Sequence, residues 1–212
     1  MVKVILWDWD NTLADTFGAI FAAQNNARIK YGMSPWSLEE SKNAMNKSGR
    51  NLIKDVFGSD KVEEVRSYFL ECYAKHADAL ELKKNASEVL NRAKEFGYIN
   101  ILASNKTGSI LRNEVTAMGL MDCFERIIGA GEANEDKPSK QFTDKALEGF
   151  NTSEIISIGD GFADIQMAHN YENGIGILVG TNPNAPEFNG IKPDYAVADL
   201  NGVINILKNL SK

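Results

Sequence analysis

Cysteine, histidine and proline are scarce in this chain of 212 residues, at two, two and five. Cys72 and Cys123 lie far apart, outside any CxxC or Cys/His cluster, which excludes a disulfide framework and a zinc site; both read as buried thiols. His76 and His169 have no second His or Cys at ligand spacing, so neither reads as a metal ligand. No apolar run approaches the roughly 20 residues that span a bilayer. The opening Met-Val-Lys-Val-Ile-Leu-Trp-Asp lacks the hydrophobic segment and cleavage site of a signal peptide, so the expectation is a cytoplasmic protein without membrane contact. Basic residues are in deficit, 23 against 29 acidic, a net charge of −6. Residues 14–83 are balanced, with ten of each sign, so the remainder carries the whole excess. Without a Lys/Arg stripe to neutralise phosphates, nucleic acid is not an expected partner.

With 43% hydrophobic and 25% charged residues, the chain has the composition of a globular protein with a sizeable core. Val2 to Trp7 is a short apolar run rich in β-branched residues, without the alternation of a half-exposed strand, and predicts a buried parallel strand. Similar runs recur at Ile99 to Ala103, Arg126 to Ile128, Ile155 to Ile158, Ile175 to Val179 and Tyr195 to Val197. Helical patterns lie between most of them, at Ala86 to Phe96, Ser109 to Met118, Lys140 to Phe150 and Ala163 to Tyr171, and Val203 to Leu210 closes the chain. This alternation predicts an α/β fold, a doubly wound parallel sheet of Rossmann-like type. Gly174-Ile175-Gly176 leads into a strand instead of opening a helix, so it reads as a turn and not as a dinucleotide fingerprint.

One stretch breaks the rhythm. From Asp15 to Lys83 there is only helical periodicity: Phe17, Ile20 and Phe21, then Leu52, Ile53 and Val56, then Val62, Val65, Phe69 and Tyr73. Gly32, Ser34, Pro35 and Lys47-Ser48-Gly49 punctuate it. The expected organisation is a core of residues 1–14 and 84–212 carrying an inserted α-helical cap of residues 15–83.

Open α/β sheets bind ligands outside the carboxyl ends of their strands, near the point where strand order reverses. The residues just after each predicted strand form one chemical set: Asp8, Asp10, Asn11 and Thr12; Ser104, Asn105 and Lys106; Lys137 and Pro138; Asp160 and Asp164. Alone, an Asp after a strand is turn or cap chemistry, Lys137 a solvated lysine and Ser104 a helix N-cap, which is itself compatible with anion binding. Together they crowd carboxylates, and two unit charges about 4 Å apart repel by about 4 kcal/mol at an effective dielectric near 20. A cation is the natural remedy, and all-oxygen donors favour a hard ion such as Mg²⁺.

Asp8-Trp9-Asp10-Asn11-Thr12-Leu13 resembles the first motif of the haloacid dehalogenase-like superfamily, in its DxD subgroup of phosphatases and phosphomutases. Ser104-Asn105 resembles the second motif, Lys137-Pro138 with Phe142, Ala146 and Leu147 the third, and Gly159-Asp160-Gly161 with Asp164-Ile165 the fourth, all in the family's order. The family's helical cap, inserted after the first motif, matches the strandless segment.

The resemblance implies a covalent mechanism. Asp8 would attack phosphorus to form an aspartyl-phosphate, while Asp10 would protonate the leaving alcohol and then activate water. Ser104, with the Asn105 backbone amide, would hold the phosphoryl oxygens, and Lys137 would neutralise nucleophile and phosphate together. Mg²⁺ would sit on the carboxylates of Asp8 and Asp160 and the backbone carbonyl of Asp10, with Asp164 orienting Lys137 or a metal-bound water. Four ionised aspartates against one lysine leave −3, which Mg²⁺ brings to −1.

The expected partner is a small phosphorylated metabolite. Ser104-Asn105-Lys106 and the Gly49-Arg50-Asn51-Leu52 segment followed by Phe57-Gly58 are similar to phosphoglycolate phosphatase-type members with helical caps, with Arg50 or Lys47 as candidates for a substrate carboxylate or second phosphate. Trp9 is bulkier than the residue usual at that position, so an unusual leaving-group pocket is expected. A phosphomutase of the same fold stays open, as do a phosphoacceptor module and a binding protein without turnover. Dehalogenation is disfavoured, because it leaves Asp10, Asp160 and Lys137 poorly explained.

Overall fold

The computed structural model describes residues 2–45, 47–76, 79–185, 188 and 190–211. They divide into two compact units, Met1–Ala14 with Leu82–Lys212, and Asp15–Glu81.

The larger unit is built on six parallel strands: β1 (Val2–Trp7), β4 (Tyr98–Thr107), β5 (Arg126–Ala130), β6 (Thr152–Gly159), β7 (Gly174–Val179) and β8 (Tyr195–Val197). Their order is β5-β4-β1-β6-β7-β8, so the chain winds outward from β1 on one side and returns to its other side. The switch in winding direction therefore falls at β1, which pairs Trp7 with Leu102 of β4 and Ile158 of β6. Helices α5 (Ala86–Glu95), α6 (Gly108–Ala117), α7 (Lys140–Leu147), α8 (Phe162–His169) and α9 (Leu200–Leu210) connect and follow the strands.

Both faces of β1 are buried, which explains its unbroken apolar run. Ile5 and Trp7 pack with Val89 and Leu90 of α5, Leu111 and Val115 of α6, and Val203 and Leu207 of α9. Val4 and Leu6 face the opposite way, onto Phe142 and Ala146 of α7 and Met167 of α8. The result is three layers, helix, sheet and helix. Trp7 brings a polar atom into the first of these cores, and its indole N–H donates to Asn100 Oδ1 at 2.9 Å. The Asn100 amide in turn donates to the Leu90 and Cys123 carbonyls at 3.0 and 3.2 Å, so one buried amide fastens β1, β4 and α5.

The smaller unit contains α1 (Phe17–Lys30), α2 (Leu38–Ala44), α3 (Gly49–Phe57) and α4 (Val62–Ala74). Its core joins Ala27, Ile53 and Val65, with Tyr31, Phe57, Val62 and Tyr68 against them. Ser37 caps α2 by accepting from the Glu40 amide, while the Glu40 carboxylate accepts from the Ser37 amide. Ser48 caps α3. The segment is not wholly free of strand, because β2 (Ala14–Asp15) and β3 (Glu81–Leu82) pair with each other where the chain enters and leaves it. Two residues each are too few to leave a pattern in the sequence.

Three other expectations are corrected. β4 runs on to Thr107, so Ser104, Asn105 and Lys106 lie within it and Thr107, not Ser104, is the N-cap of α6. Gly174 and Gly176 belong to β7 and are not a turn: a Cβ at Gly174 would lie 1.9 Å from the Ala168 carbonyl oxygen, so glycine lets the end of α8 lie against the strand. Cys72 is buried, but Cys123 is only half-buried. No helix among the described residues is long and apolar enough to cross a membrane.

Removing the Asn100 side chain strands the Trp7 N–H and takes a donor from the Leu90 carbonyl in the core, a buried group left unsatisfied costing about 1–3 kcal/mol. Asn100→Ala should lower unfolding stability by about 2–4 kcal/mol in urea titration, and a change below about 0.5 kcal/mol would show that these bonds do not hold the core.

Candidate active site

Asp8 still belongs to the sheet through its backbone, its amide donating to Ile158 O at 2.9 Å. The chain then turns at once. The amides of Leu13 and Ala14 both donate to Trp9 O, at 3.1 and 3.0 Å, and the Asn11 amide returns to Ala14 O at 2.7 Å. Asn11 sits at φ 62°, a left-handed conformation that asparagine tolerates better than most residues. This turn closes the end of β1, and Thr12 within it donates its hydroxyl to Asp8 Oδ2 at 3.4 Å, with Asp8 itself buried.

Lys137, in the loop between β5 and α7, reaches into the same place. Its ammonium donates to Asp8 Oδ1 at 2.8 Å and to Asp164 Oδ1 at 2.7 Å, with all three groups buried. Asp164 lies in the first turn of α8, where its other oxygen accepts from the Gly161 amide at 3.2 Å. It fits there because Gly159 has no side chain, since a Cβ would come within 2.0 Å of Asp164 Cγ. Asp160 completes the group: one oxygen each of Asp8, Asp160 and Asp164 lies within 4.8 Å of the others.

Burial raises the Asp8 carboxyl from 3.8 to about 7; Lys137 opposes the rise, and the charges of Asp164 and Asp10 add to it. Asp160 is pushed well above the usual carboxylate range by desolvation and then by Asp8, Asp164 and Asp10. Desolvation weakens the Lys137 ammonium, but the charges of Asp164 and Asp8 outweigh it and hold the proton more tightly than usual. One lysine therefore does not compensate this cluster. Hard oxygen donors at this spacing, with excess negative charge, fit a divalent cation such as Mg²⁺.

Ser104 is buried, and its hydroxyl accepts from the Lys106 amide at 3.2 Å, which leaves its own proton to donate. The Asn105 side-chain amide donates from Nδ2 to Lys137 O at 3.4 Å, while its Oδ1 is buried without a partner. The Asp10 side chain lies outside the three-carboxylate group and is ion-paired with Lys106 at 2.8 Å. Trp9 does not shape a pocket: it is fully buried in the α5, α6 and α9 core, its indole bonded to Glu114 at 2.7 Å. Lys106 stands in the strand-end set, whereas Glu114, its partner at 2.8 Å, lies on α6 outside that set. The sign that betrays it is a carboxylate on the buried stripe of α6, between Leu111 and Val115. Lys47 and Arg50 are exposed residues of the smaller unit, and Lys47 pairs with Asp55 at 2.6 Å.

A winding reversal in a parallel sheet is where open α/β proteins bind their ligands, and here acids, a hydroxyl and a lysine stand at its carboxyl end. Residues 5–175 match the family model described as haloacid dehalogenase-like hydrolase, and the chain belongs to that family. It is 22% identical over 177 residues to a phosphoglycolate phosphatase of Rhodobacter capsulatus, covering 80% of this chain and 81% of the relative. It is 23% identical over 200 residues to an N-acetylmuramic acid 6-phosphate phosphatase of Pseudomonas aeruginosa, covering 91% and 85%. The fold is that of a hydrolase crystallised from Pseudomonas syringae, with a TM-score of 0.85 at 15% identity, covering 99% of this chain and 100% of the other.

An Asp8 carboxyl raised from 3.8 to about 7 binds its proton more tightly in the folded than in the unfolded chain. Its contribution to stability is complete below about pH 4 and lost as pH rises through about 7. In chelator, calorimetry should show thermal stability falling between about pH 4 and about pH 7, a fall that Asp8→Asn flattens and a divalent cation reverses at the upper end. Equal pH profiles for wild type and Asp8→Asn would contradict the crowding described here.

Proposed function

We propose that the protein is a Mg²⁺-dependent phosphatase of small phosphate monoesters that works through an aspartyl-phosphate on Asp8. The observation that carries this reading is the convergence of Asp8, Asp160, Asp164 and Lys137 at the end of β1 in a chain of this hydrolase family. The phosphatase names of both curated relatives support it, and the first makes phosphoglycolate a candidate substrate.

The residues divide the work as follows. The Asp8 carboxylate attacks phosphorus in line with the departing alkoxide, and the new O–P bond forms as the ester bond breaks. Asp10 delivers a proton to the leaving oxygen; once ionised, it takes a proton from the water that cleaves the aspartyl-phosphate. Ser104 Oγ–H and the Asn105 backbone amide donate to the phosphoryl oxygens. Lys137 orients Asp8 and offsets charge on the transferring group, with Asp164 holding the ammonium in place. Asp8 and Asp160, with the Asp10 backbone carbonyl, would hold Mg²⁺. When bound, the ion would cancel repulsion between the anionic nucleophile and the anionic ester.

Purified protein should hydrolyse 4-nitrophenyl phosphate with Mg²⁺ and lose that activity in chelator. Asp8→Asn should abolish turnover and covalent labelling by phosphate, and Asp10→Asn should cost about 10²–10⁴-fold in kcat. Wild-type rates in Asp8→Asn would remove the mechanism. A panel of phosphorylated metabolites at fixed Mg²⁺, phosphoglycolate among them, then identifies the substrate.

A further inference from the structure

A second buried charge network lies next to the carboxylate cluster, and of its members only Asp10 has a part in the mechanism above. Lys106, at the end of β4, directs its ammonium to Asp10 Oδ1 at 2.8 Å and to both oxygens of Glu114, at 2.8 and 3.0 Å. Glu114 Oε2 also accepts the Trp9 indole N–H at 2.7 Å. The side chains of Lys106, Glu114 and Asp10 are only 7%, 9% and 16% exposed, and Trp9 is wholly enclosed.

A buried lysine is costly to desolvate, and a single surface-type pair would not hold it there. Glu114 is anchored from two directions, by the helix that carries it and by the Trp9 indole. It therefore fixes the lysine, and the lysine fixes one Asp10 oxygen. Trp9 and Asp10 are neighbours in the chain, so the network closes a loop from Asp10 through Lys106 and Glu114 back to Trp9. The bulk of Trp9 thereby has a reason: smaller apolar residues have no N–H to reach Glu114.

We infer that Lys106 is the positioning residue of Asp10, with Glu114 and Trp9 as the bracket that holds it. The lysine touches no reacting atom and acts by aiming the carboxylate. This rests on Asp10 serving as the acid and base of the proposed phosphatase. An acid placed within hydrogen-bond reach of the leaving oxygen matters most when that oxygen leaves poorly as an anion. Loss of the aim should therefore reproduce the signature of losing the acid.

The test is kcat/KM for aryl phosphates running from 4-nitrophenyl to phenyl phosphate, measured with Mg²⁺. Lys106→Met should lose less than about 10-fold on the nitrophenyl ester and about 100-fold or more on the phenyl ester, matching the trend of Asp10→Asn. Lys106→Met combined with Asp10→Asn should be no slower than Asp10→Asn alone, because the lysine acts only through that carboxylate. Lys106→Arg should recover part of the loss on the phenyl ester. Glu114→Gln, which keeps an acceptor for Trp9, should show the same leaving-group trend more weakly, and decides the matter if Lys106→Met does not fold. Equal losses across the series, or additive losses in the double variant, would overturn the inference while leaving the phosphatase reading intact. A wild type inactive on every ester, with no phosphate bound to Asp8, would remove that reading and this inference with it.

Discussion

The ammonium of Lys137, buried between Asp8 and Asp164, is the interaction around which the larger unit is arranged. It joins the end of β1, the loop after β5 and the start of α8, three segments far apart in sequence. A buried cation requires close carboxylates, and buried carboxylates require a cation, so none of the three side chains is stable there without the others. The local backbone serves the same end. The turn at Asn11 brings the Thr12 hydroxyl to Asp8, and the missing side chain of Gly159 admits Asp164. Even so, the cluster stays short of positive charge, as an ordinary buried ion pair does not.

The sheet explains why such a cluster forms where it does. Parallel strands place their carboxyl ends along one edge, and the winding reversal at β1 gathers the ends of β4, β5 and β6 around it. The two apolar cores on either face fix strand positions by packing that tolerates little movement. The polar residues at the edge thus inherit the rigidity of a core they do not belong to.

The sequence disclosed much of this, and what it hid has physical causes. Runs such as Val2 to Trp7 and Ile175 to Val179 announce strands buried on both faces, and the acids and lysine that follow are conspicuous against them. The extension of β4 through Ser104 to Thr107 carries no apolar signature, because pairing with Ala130 of β5, and not burial of side chains, marks its end. The pairing of Asp10 with Lys106 was equally hidden, since no sequence rule brings two strand-end residues of different strands to 2.8 Å. Trp9 invites a reading as a pocket residue because it stands between two aspartates, yet alternation along the chain turns it the other way, into the core.

The paired strands β2 and β3 bear on how this architecture varies in length. Hydrogen-bonded neighbours run about 5 Å apart, so the excursion through residues 15–81 starts and finishes almost at one point. A gap of that size is one a tight hairpin turn can bridge. The excursion is thus topologically a side branch, and it can lengthen, shrink or be exchanged over generations without disturbing the register of a single strand in the main sheet.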